Sequence, residues 1–380
     1  MMDTDLRIDT KKKVPSLRFA GFEGEWEERK IANILTIGSG KDYKHLGDGD
    51  IPVYGTGGLM TTVDGFLHDG ETVCIGRKGT IDKPMYHSGK LWTVDTLFYT
   101  HSFIDSNPKF VYNLFQKINW KEHNEASGVP SLSKSTIEQI PINLPTLPEQ
   151  QRIASFLTAV DEKLQVLKQQ KNLLEQYKKG MMQKIFSQEI RFKDDEGKEF
   201  GEWGMKKLGE VAEITMGQSP ESKSYNIDGI GELLIQGNAD ISNRQSNPRN
   251  WTSEPTKECK IGDLILTVRA PVGAVAKAIH NACIGRGVCS IRNNSKSKME
   301  YLYQFLLDYE LKWIRLEQGS TFTAINSADI KSISINLPTL PEQTKIANFL
   351  SAIDEKISHC QVQITKMEQY KKGLLQQLFV

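Results

Sequence analysis

Two segments of the chain place apolar residues at alternating steps of four and three. This spacing continues for about five heptads in each segment, which is the pattern of a coiled-coil helix. Each segment begins with Thr-Leu-Pro-Glu, at residues 146–149 and 339–342, and this spacing of Thr and Glu predicts a capping box at a helix start. The predicted seam consists of Ile153, Leu157, Val160, Leu164, Leu167, Leu174, Met181 and Ile185 in the first helix, and of Ile346, Leu350, Ile353, Ile357, Cys360, Ile364, Met367, Leu374 and Leu378 in the second.

The two helices belong to an internal duplication. The sequence NLPTLPEQ occurs at residues 143–150 and again, 193 positions later, at residues 336–343. When the flanking residues are included, residues 142–186 and 335–379 share 26 identities over 45 aligned positions without a gap. A segment that occurs only twice, with long insertions, does not indicate a solenoid. The chain therefore alternates variable and repeated blocks.

Weaker similarities precede each strong copy. The stretch GEWEERKIANILTIGSG matches GEWGMKKLGEVAEITMG and aligns Trp26 with Trp203. The sequence between these landmarks has diverged almost completely, although an Arg-Phe pair precedes each Trp. These pairs are Arg18-Phe19 and Arg191-Phe192.

The variable blocks are rich in predicted strands with short helices. Their apolar, β-branched runs are bounded by Gly and Pro, as is typical of strands. A Pro-started helix is predicted from Pro108, with a counterpart at Tyr301–Leu306 in the second block. The predicted strand segments are DIPVYG, ETVCIGR, LWTVDTLFYTHSF, GELLIQG and GDLILTVRAPVGAVAKAI.

These elements predict an α+β fold: two strand-rich domains alternate with two long helices that pair as an antiparallel coiled coil with pseudo-two-fold symmetry. Two similar helices in one chain pair most simply in this way, and about 38 residues at 1.5 Å rise would hold the blocks roughly 57 Å apart. Lys178 and Lys371 occupy the same seam position, where a polar residue sets register. The predicted segments are 1–145, 146–187, 188–338 and 339–380.

Further apolar residues lie off the seam. They could pack against the chain's own globular blocks, or they could form a second helix face that docks partner helices. The sequence leaves both readings open. The residues are Phe156, Tyr177 and Met182, with their counterparts Phe349, Tyr370 and Leu375.

Composition sets broad limits. Hydrophobic residues make up 38% and charged residues 25% of the 380 residues, which is ordinary for a globular protein, and we expect no membrane span. Five cysteines without paired spacing suggest a reducing cytoplasm, and buried thiols are favoured over a zinc site at His280, Cys283 and Cys289. The net charge of +1 argues mildly against a simple nucleic-acid binder.

Candidate DNA-reading side chains occupy probable turns and loops of the variable blocks, and Arg77, Lys78 and Arg286 lie between glycines. Arginine reads guanine, and asparagine or glutamine reads adenine, when presented to the major groove. A structural turn or a phosphate contact is the alternative for each residue, since half or more of protein–DNA hydrogen bonds go to the backbone. The candidates are Arg77 and Lys78 in the first block, and Gln236, Asn238, Arg244, Arg269 and Arg286 in the second.

Two inverted, non-identical readers on a rigid spacer match a pseudo-palindromic DNA target with a fixed gap. In their order, IGRKGT, VDTLFY, SGVPSLSKSTIEQIPINLPTLPEQQRIASFL and its duplicate resemble the specificity subunit of type I restriction–modification systems. The resemblance implies two target recognition domains and two helical repeats that dock two methyltransferase subunits. It also implies that restriction and translocase subunits join the complex, and that S-adenosylmethionine and ATP are bound by those partners and not by this chain.

The sequence is expected to be a reader of double-stranded DNA and not an enzyme. Asn107-Pro-Lys-Phe110 approaches a methyltransferase loop, but Lys replaces the second Pro, and a helix start is the better interpretation. The chain contains no GxxxxGK[ST] loop for ATP. No catalytic or metal-ligating residue is predicted. The alternatives are a duplicated coiled-coil scaffold that binds only proteins, or the recognition subunit of another multisubunit restriction system.

Overall fold

The duplication seen in the sequence reappears as two structural units. A computed structural model describes residues 13–319 and 324–380. Unit 1 comprises Met1–Lys168 and Val362–Val380, and unit 2 comprises Gln169–Gln361. Each unit contains one variable block and a part of both long helices. The unit boundaries thus fall inside the helices, and the four-segment division stays a prediction.

The variable block of unit 1 forms a six-stranded sheet in the order β2-β7-β5-β6-β3-β4, while β1 pairs with β8 in a separate two-stranded sheet. Helix α1 begins as predicted, because the Asn107 side chain accepts a hydrogen bond of 3.0 Å from Phe110 N and Pro108 occupies the first turn. The elements are β1 (Glu27–Lys30), β2 (Thr36–Ser39), β3 (Ile51–Gly55), β4 (Gly58–Val63), β5 (His68–Gly76), β6 (Met85–Thr93), β7 (Leu97–His101), α1 (Pro108–Lys117), α2 (Lys134–Gln139) and β8 (Pro141–Leu144).

The first long helix, α3 (Leu147–Phe186), follows β8 directly. The variable block of unit 2 contains a six-stranded sheet, β10-β20-β17-β18-β14-β13, a five-stranded sheet, β11-β15-β12-β19-β16, and the pair β21-β9. Its elements are β9 (Gly204–Lys207), α4 (Leu208–Val211), β10 (Ala212–Met216), β11 (Tyr225–Asn226), β12 (Glu232–Ile235), β13 (Ile241–Ser242), β14 (Gln245–Ser246), β15 (Asn250–Thr252), β16 (Glu258–Cys259), β17 (Leu264–Thr267), β18 (Val275–Lys277), β19 (Ala282–Ile284), β20 (Val288–Asn293), α5 (Met299–Gly319), α6 (Ser327–Ser332), β21 (Ser334–Leu337) and the second long helix α7 (Leu340–Leu378).

The long helices run antiparallel within each unit. In unit 1, Asp161 on α3 pairs with Lys371 on α7 at 2.7 Å, and Lys168 pairs with Glu368 at 2.7 Å. Contacts further along α3 are therefore made with earlier residues of α7, as in an antiparallel pair. The predicted seam faces inward in both units, and the α+β class with paired long helices is confirmed. Its buried members include Ile153, Leu157, Val160, Leu167, Ile346, Leu350, Ile353, Cys360, Ile364 and Leu374.

Two reciprocal ion pairs lie at the seam lysines. Lys178 Nζ contacts both carboxylate oxygens of Asp354, at 2.7 and 2.8 Å, within unit 2. In unit 1 the counterpart Lys371 contacts Asp161, so each repeat supplies its lysine to the aspartate of the other. Burial lowers the pKa of the Lys178 ammonium, and the hydrogen bond with Asp354 opposes that shift. Lys178 and Lys371 reach these aspartates in only one register of the two helices. This agrees with the prediction that a polar seam residue sets the register.

We expect Asp354→Ala to lower the free energy of unfolding by about 1–3 kcal/mol, because it leaves the buried Lys178 ammonium without its anion. Asp161→Ala should have a similar effect through Lys371. Adding Lys178→Met to Asp354→Ala should restore most of the loss, since the charge is then removed together with its partner. Urea denaturation of the variants measures these differences. Unchanged stability in both single variants would show that the pairs do not fix the seam.

The repeated Gln of NLPTLPEQ ties the start of each long helix to its variable block. Gln150 Nε2 donates to Pro145 O at 2.8 Å and to Asp105 O at 3.0 Å, and its Oε1 accepts from Asn107 N at 2.9 Å. In unit 2, Gln343 makes the matching bonds to Pro338 O at 2.8 Å, to Lys296 O at 3.1 Å and from Lys298 N at 2.8 Å. Each glutamine therefore fixes the backbone just before the helix α1 or α5.

The repeated Glu has a partner that the sequence did not reveal. Glu149 accepts two hydrogen bonds of 2.8 Å from Arg18 Nε and Nη2, and the Glu149 side chain is 2% exposed. Glu342 binds Arg191 in the same bidentate manner, at 3.1 and 2.9 Å. These ion pairs account for the Arg-Phe pairs upstream of Trp26 and Trp203. The capping box assigned to these glutamates stays a prediction.

Candidate nucleic-acid interface

A cleft on unit 2 collects four of the five candidate readers of the second block. Its volume is about 570 Å³, and its wall includes Gln236, Asn238, Arg269 and Arg286 together with Tyr225. The four candidates come from three separate loops and Tyr225 comes from strand β11, which explains why the sequence could nominate the candidates singly but could not group them.

Backbone hydrogen bonds hold parts of the cleft wall in place, while the side chains of Arg269 and Arg286 are exposed. Gln236 N donates to Asp240 Oδ2 at 2.8 Å, and Arg286 N donates to Ser219 Oγ at 3.1 Å. Arg269 follows β17 and forms an isolated bridge with Ala324. The two arginines are exposed, and no ion pair of either guanidinium group occurs among the side chains that the structure describes. Both positive charges are therefore available to a ligand.

Arg244 does not line this cleft, and its role as a DNA contact stays a prediction. Its guanidinium pairs with the carboxylate of Glu310, with one N–O distance of 2.9 Å, and donates to Val275 O at 3.3 Å. Glu310 also accepts from Val275 N at 2.7 Å. The charge is thus neutralised inside the unit, where it joins the β13–β14 turn to helix α5.

In unit 1 the candidates Arg77 and Lys78 follow β5 and are both exposed. Arg77 Nη1 lies 3.4 Å from Asp95 O, and its guanidinium carbon lies 5.9 Å from the centroid of the Phe98 ring. Lys78 forms an isolated bridge with Ser131. No ion pair of either side chain occurs among the residues that the structure describes.

The backbone around these residues is the same in the two units. Arg77 N donates to Thr96 O at 2.8 Å, and Val268 N donates to Gly287 O at 2.9 Å. The carbonyls of Arg77 and Val268 each accept a bond of 2.9 Å, from Leu132 N and Ile325 N. Lys78 is consequently the counterpart of Arg269, and the two blocks present one scaffold with different side chains.

Four of the six helix residues predicted to face partners are covered by their own unit, as in the alternative left open by the sequence. Phe156 packs edge-on against Phe19 at 5.5 Å, and Phe349 packs against Phe192 at 5.6 Å. Met182 is 7% exposed in the core of unit 2, and Leu375 packs against the core of unit 1. Phe19 and Phe192, the phenylalanines of the two Arg-Phe pairs, thus pack against Phe156 and Phe349, a contact that the sequence did not reveal.

Tyr177 and Tyr370 remain on the surface, with exposed fractions of 52% and 53%. They hold matching positions in the duplicated helices, so any surface that one of them helps to form has an equivalent around the other. Their prediction as partner contacts stands, although the structure does not test it.

The remaining chemical features are structural. All five cysteines are buried and unpaired, and burial raises the pKa of the Cys289 thiol to about 12. The part of the chain that the structure describes contains no group of three or more His, Cys, Asp or Glu residues placed to hold a metal ion. Nor does any helix within the described ranges combine the length and apolar character needed to cross a membrane.

Comparison with known proteins identifies related chains. A protein described as the specificity subunit of the type I restriction enzyme MjaX, from Methanocaldococcus jannaschii, is 36% identical over 275 residues, which cover 69% of this chain and 63% of that protein. The MjaVIII specificity subunit of the same organism is 27% identical over 67% of this chain and 65% of its own. The chain thus spans less than two thirds of the length of these two relatives.

A solved structure shares the fold. The S subunit of a type I restriction–modification system from M. genitalium aligns with a TM-score of 0.68 at 14% identity, covering 97% of this chain and 99% of the other. The family model described as the type I restriction modification DNA specificity domain matches residues 23–176 and 201–368. Since these ranges contain most of the sequence, the chain belongs to the type I restriction modification DNA specificity domain family.

Proposed function

We propose that this chain is the sequence-recognition subunit of a type I restriction–modification complex. Each variable block reads one half of a bipartite, asymmetric target in double-stranded DNA, and the paired helices fix the gap between the halves. The observation that carries the proposal is the unit 2 cleft, in which two exposed arginines, without an ion pair among the described side chains, converge with Gln236 and Asn238.

The cleft has the donors and acceptors that base reading needs. Arg269 and Arg286 can each present two N–H groups to guanine O6 and N7, and the side-chain amides can pair with adenine N6 and N7. Because the backbone N–H groups of Gln236 and Arg286 are hydrogen-bonded in place, the ordering on binding falls mainly on the side chains. A scaffold repeated in unit 1 with other side chains gives a second reader of different specificity.

Catalysis belongs to the partners in this proposal. Two methyltransferase subunits dock on the duplicated helices, where Tyr177 and Tyr370 are matched candidate contacts, and they bind S-adenosylmethionine. Restriction and translocase subunits, which bind ATP, complete the complex in the cytoplasm. The partners also supply much of the grip on DNA phosphates, which accounts for the net charge of +1 on this chain.

The proposal is tested by expressing the methyltransferase subunits in a host without adenine methylation, with and without this chain. Sequencing of modified adenines should show one bipartite motif that requires the chain. The purified chain alone should neither bind S-adenosylmethionine nor methylate DNA. Methyl transfer by the isolated chain, or the same motif without it, would contradict the proposal.

A further inference from the structure

One turn occupies the same place in both units. In unit 1, Leu97 N donates to Val94 O at 2.9 Å and closes a turn between β6 and β7. In unit 2, Val288 N donates to Gly285 O at 3.2 Å and closes the turn between β19 and β20. The residue that follows the first position of the turn is Asp95 in unit 1 and Arg286 in unit 2.

The surroundings confirm that the two turns are equivalent. Val94 N donates to Tyr54 O at 3.0 Å, and Gly285 N donates to Ile235 O at 2.8 Å. Each turn also packs against a glycine: an added Cβ would lie 2.0 Å from Val94 O at Gly40 and 2.1 Å from Gly285 O at Gly217. These close approaches leave no room for a side chain at either glycine and hold both turns in the same position.

The side chains of Asp95 and Arg286 are both exposed. Arg286 lines the cleft with Arg269, and neither the Arg286 guanidinium nor the Asp95 carboxylate forms an ion pair among the described residues. The same scaffold position therefore presents five N–H donors in one unit and only acceptors in the other.

These two charges select different bases. Arginine binds guanine O6 and N7 in a bidentate manner, whereas an aspartate accepts a hydrogen bond from cytosine N4. DNA phosphates repel a carboxylate, and a hydrogen bond from cytosine offsets part of this repulsion. Lys78, the counterpart of Arg269, supplies a positive charge in unit 1 that can contact a phosphate and offset this repulsion.

We propose that Asp95 and Arg286 are equivalent specificity-determining residues of opposite charge, so that unit 1 reads a cytosine at the position where unit 2 reads a guanine. This inference rests on the proposed function and deepens it: it states which turn reads a base in each half of the target and why the two half-sites differ there.

The test uses the complex of the full chain with its methyltransferase subunits, and the methylated motif is read by modified-base sequencing. Arg286→Ala should relax one guanine position in one half-site. Discrimination against the other bases at that position should fall about 5- to 150-fold. Asp95→Ala should relax one cytosine position in the other half-site by a similar factor. Asp95→Asn should shift that position towards adenine, because the amide adds a donor. Lys198→Ala is the control, since Lys198 pairs with Glu196 at 2.7 Å and does not line the cleft, and it should leave the motif unchanged.

Three results would overturn the inference while leaving the proposed function intact. The variants could keep the wild-type motif, they could weaken methylation of all sequences alike as phosphate contacts do, or both could relax the same half-site. A wild-type complex without any bipartite motif would instead overturn the proposed function, and this inference with it.

Discussion

Replacing Arg18 by alanine is expected to lower the free energy of unfolding by about 3–5 kcal/mol, the cost of leaving a buried charge without its partner. Glu149 is 2% exposed at its side chain, and both of its oxygens accept hydrogen bonds from Arg18. Urea denaturation monitored by tryptophan fluorescence measures the loss, because Trp26 lines the same cavity as Arg18 and Glu149.

The duplicated ion pair supplies a matched comparison. Glu342 also accepts a hydrogen bond of 2.9 Å from Trp203 Nε1, whereas Trp26 Nε1 is buried without a partner in the described part of the chain. Arg191→Ala therefore leaves Glu342 with one donor and should cost less than Arg18→Ala. Equal losses of stability, or a larger loss for Arg191→Ala, would show that the unpaired buried carboxylates do not determine how much the free energy of unfolding falls.

Lengthening the paired helices is expected to widen the gap in the recognised DNA. One heptad adds roughly 10 Å of rise and preserves the seam, because seven residues nearly complete two turns. This corresponds to about three base pairs at 3.4 Å per step. The reciprocal ion pairs show that the insertion must be matched. Asp161 and Lys178 are separated by the same number of residues as Asp354 and Lys371, so a heptad after Leu167 requires one after Cys360.

The methylated motif of the matched double insertion gives the new gap. A single heptad insertion, after Leu167 alone, should break one of the two ion pairs and reduce stability without defining a new gap. A two-residue insertion in both helices rotates the later seam residues out of the interface and should prevent assembly. An unchanged gap in a stable, active double-insertion variant would show that the helices only bind partners and do not act as the spacer.

The helical part of the fold was predictable because its signal is local and repeated. The seam spacing, the polar positions at Lys178 and Lys371, and the helix starts all depend on residues close in sequence. Most strand segments were found for the same reason, although LWTVDTLFYTHSF divides into the end of β6, a turn and β7. The partners of Arg18 and Arg191 could not be predicted, since Glu149 and Glu342 lie more than a hundred residues away.

The candidate interface was predicted in part. Residue type and a probable turn nominated Arg269 and Arg286, and the fold brings them together with Gln236 and Asn238. The ion pair of Arg244 could not be predicted, because its partner Glu310 belongs to a distant helix that no local pattern connects to it. The equivalence of Asp95 and Arg286 was missed because the turns that contain them share backbone hydrogen bonds and not sequence.

The central claim is that two independent readers share one chain, and an exchange of residues 1–140 for the first block of another family member tests it most directly. The hybrid is expressed with the methyltransferase subunits, and its methylated motif is read genome-wide beside that of the unchanged chain. The account predicts that one half-site changes while the other half-site and the gap are retained. A change in both half-sites, or in neither, would contradict it.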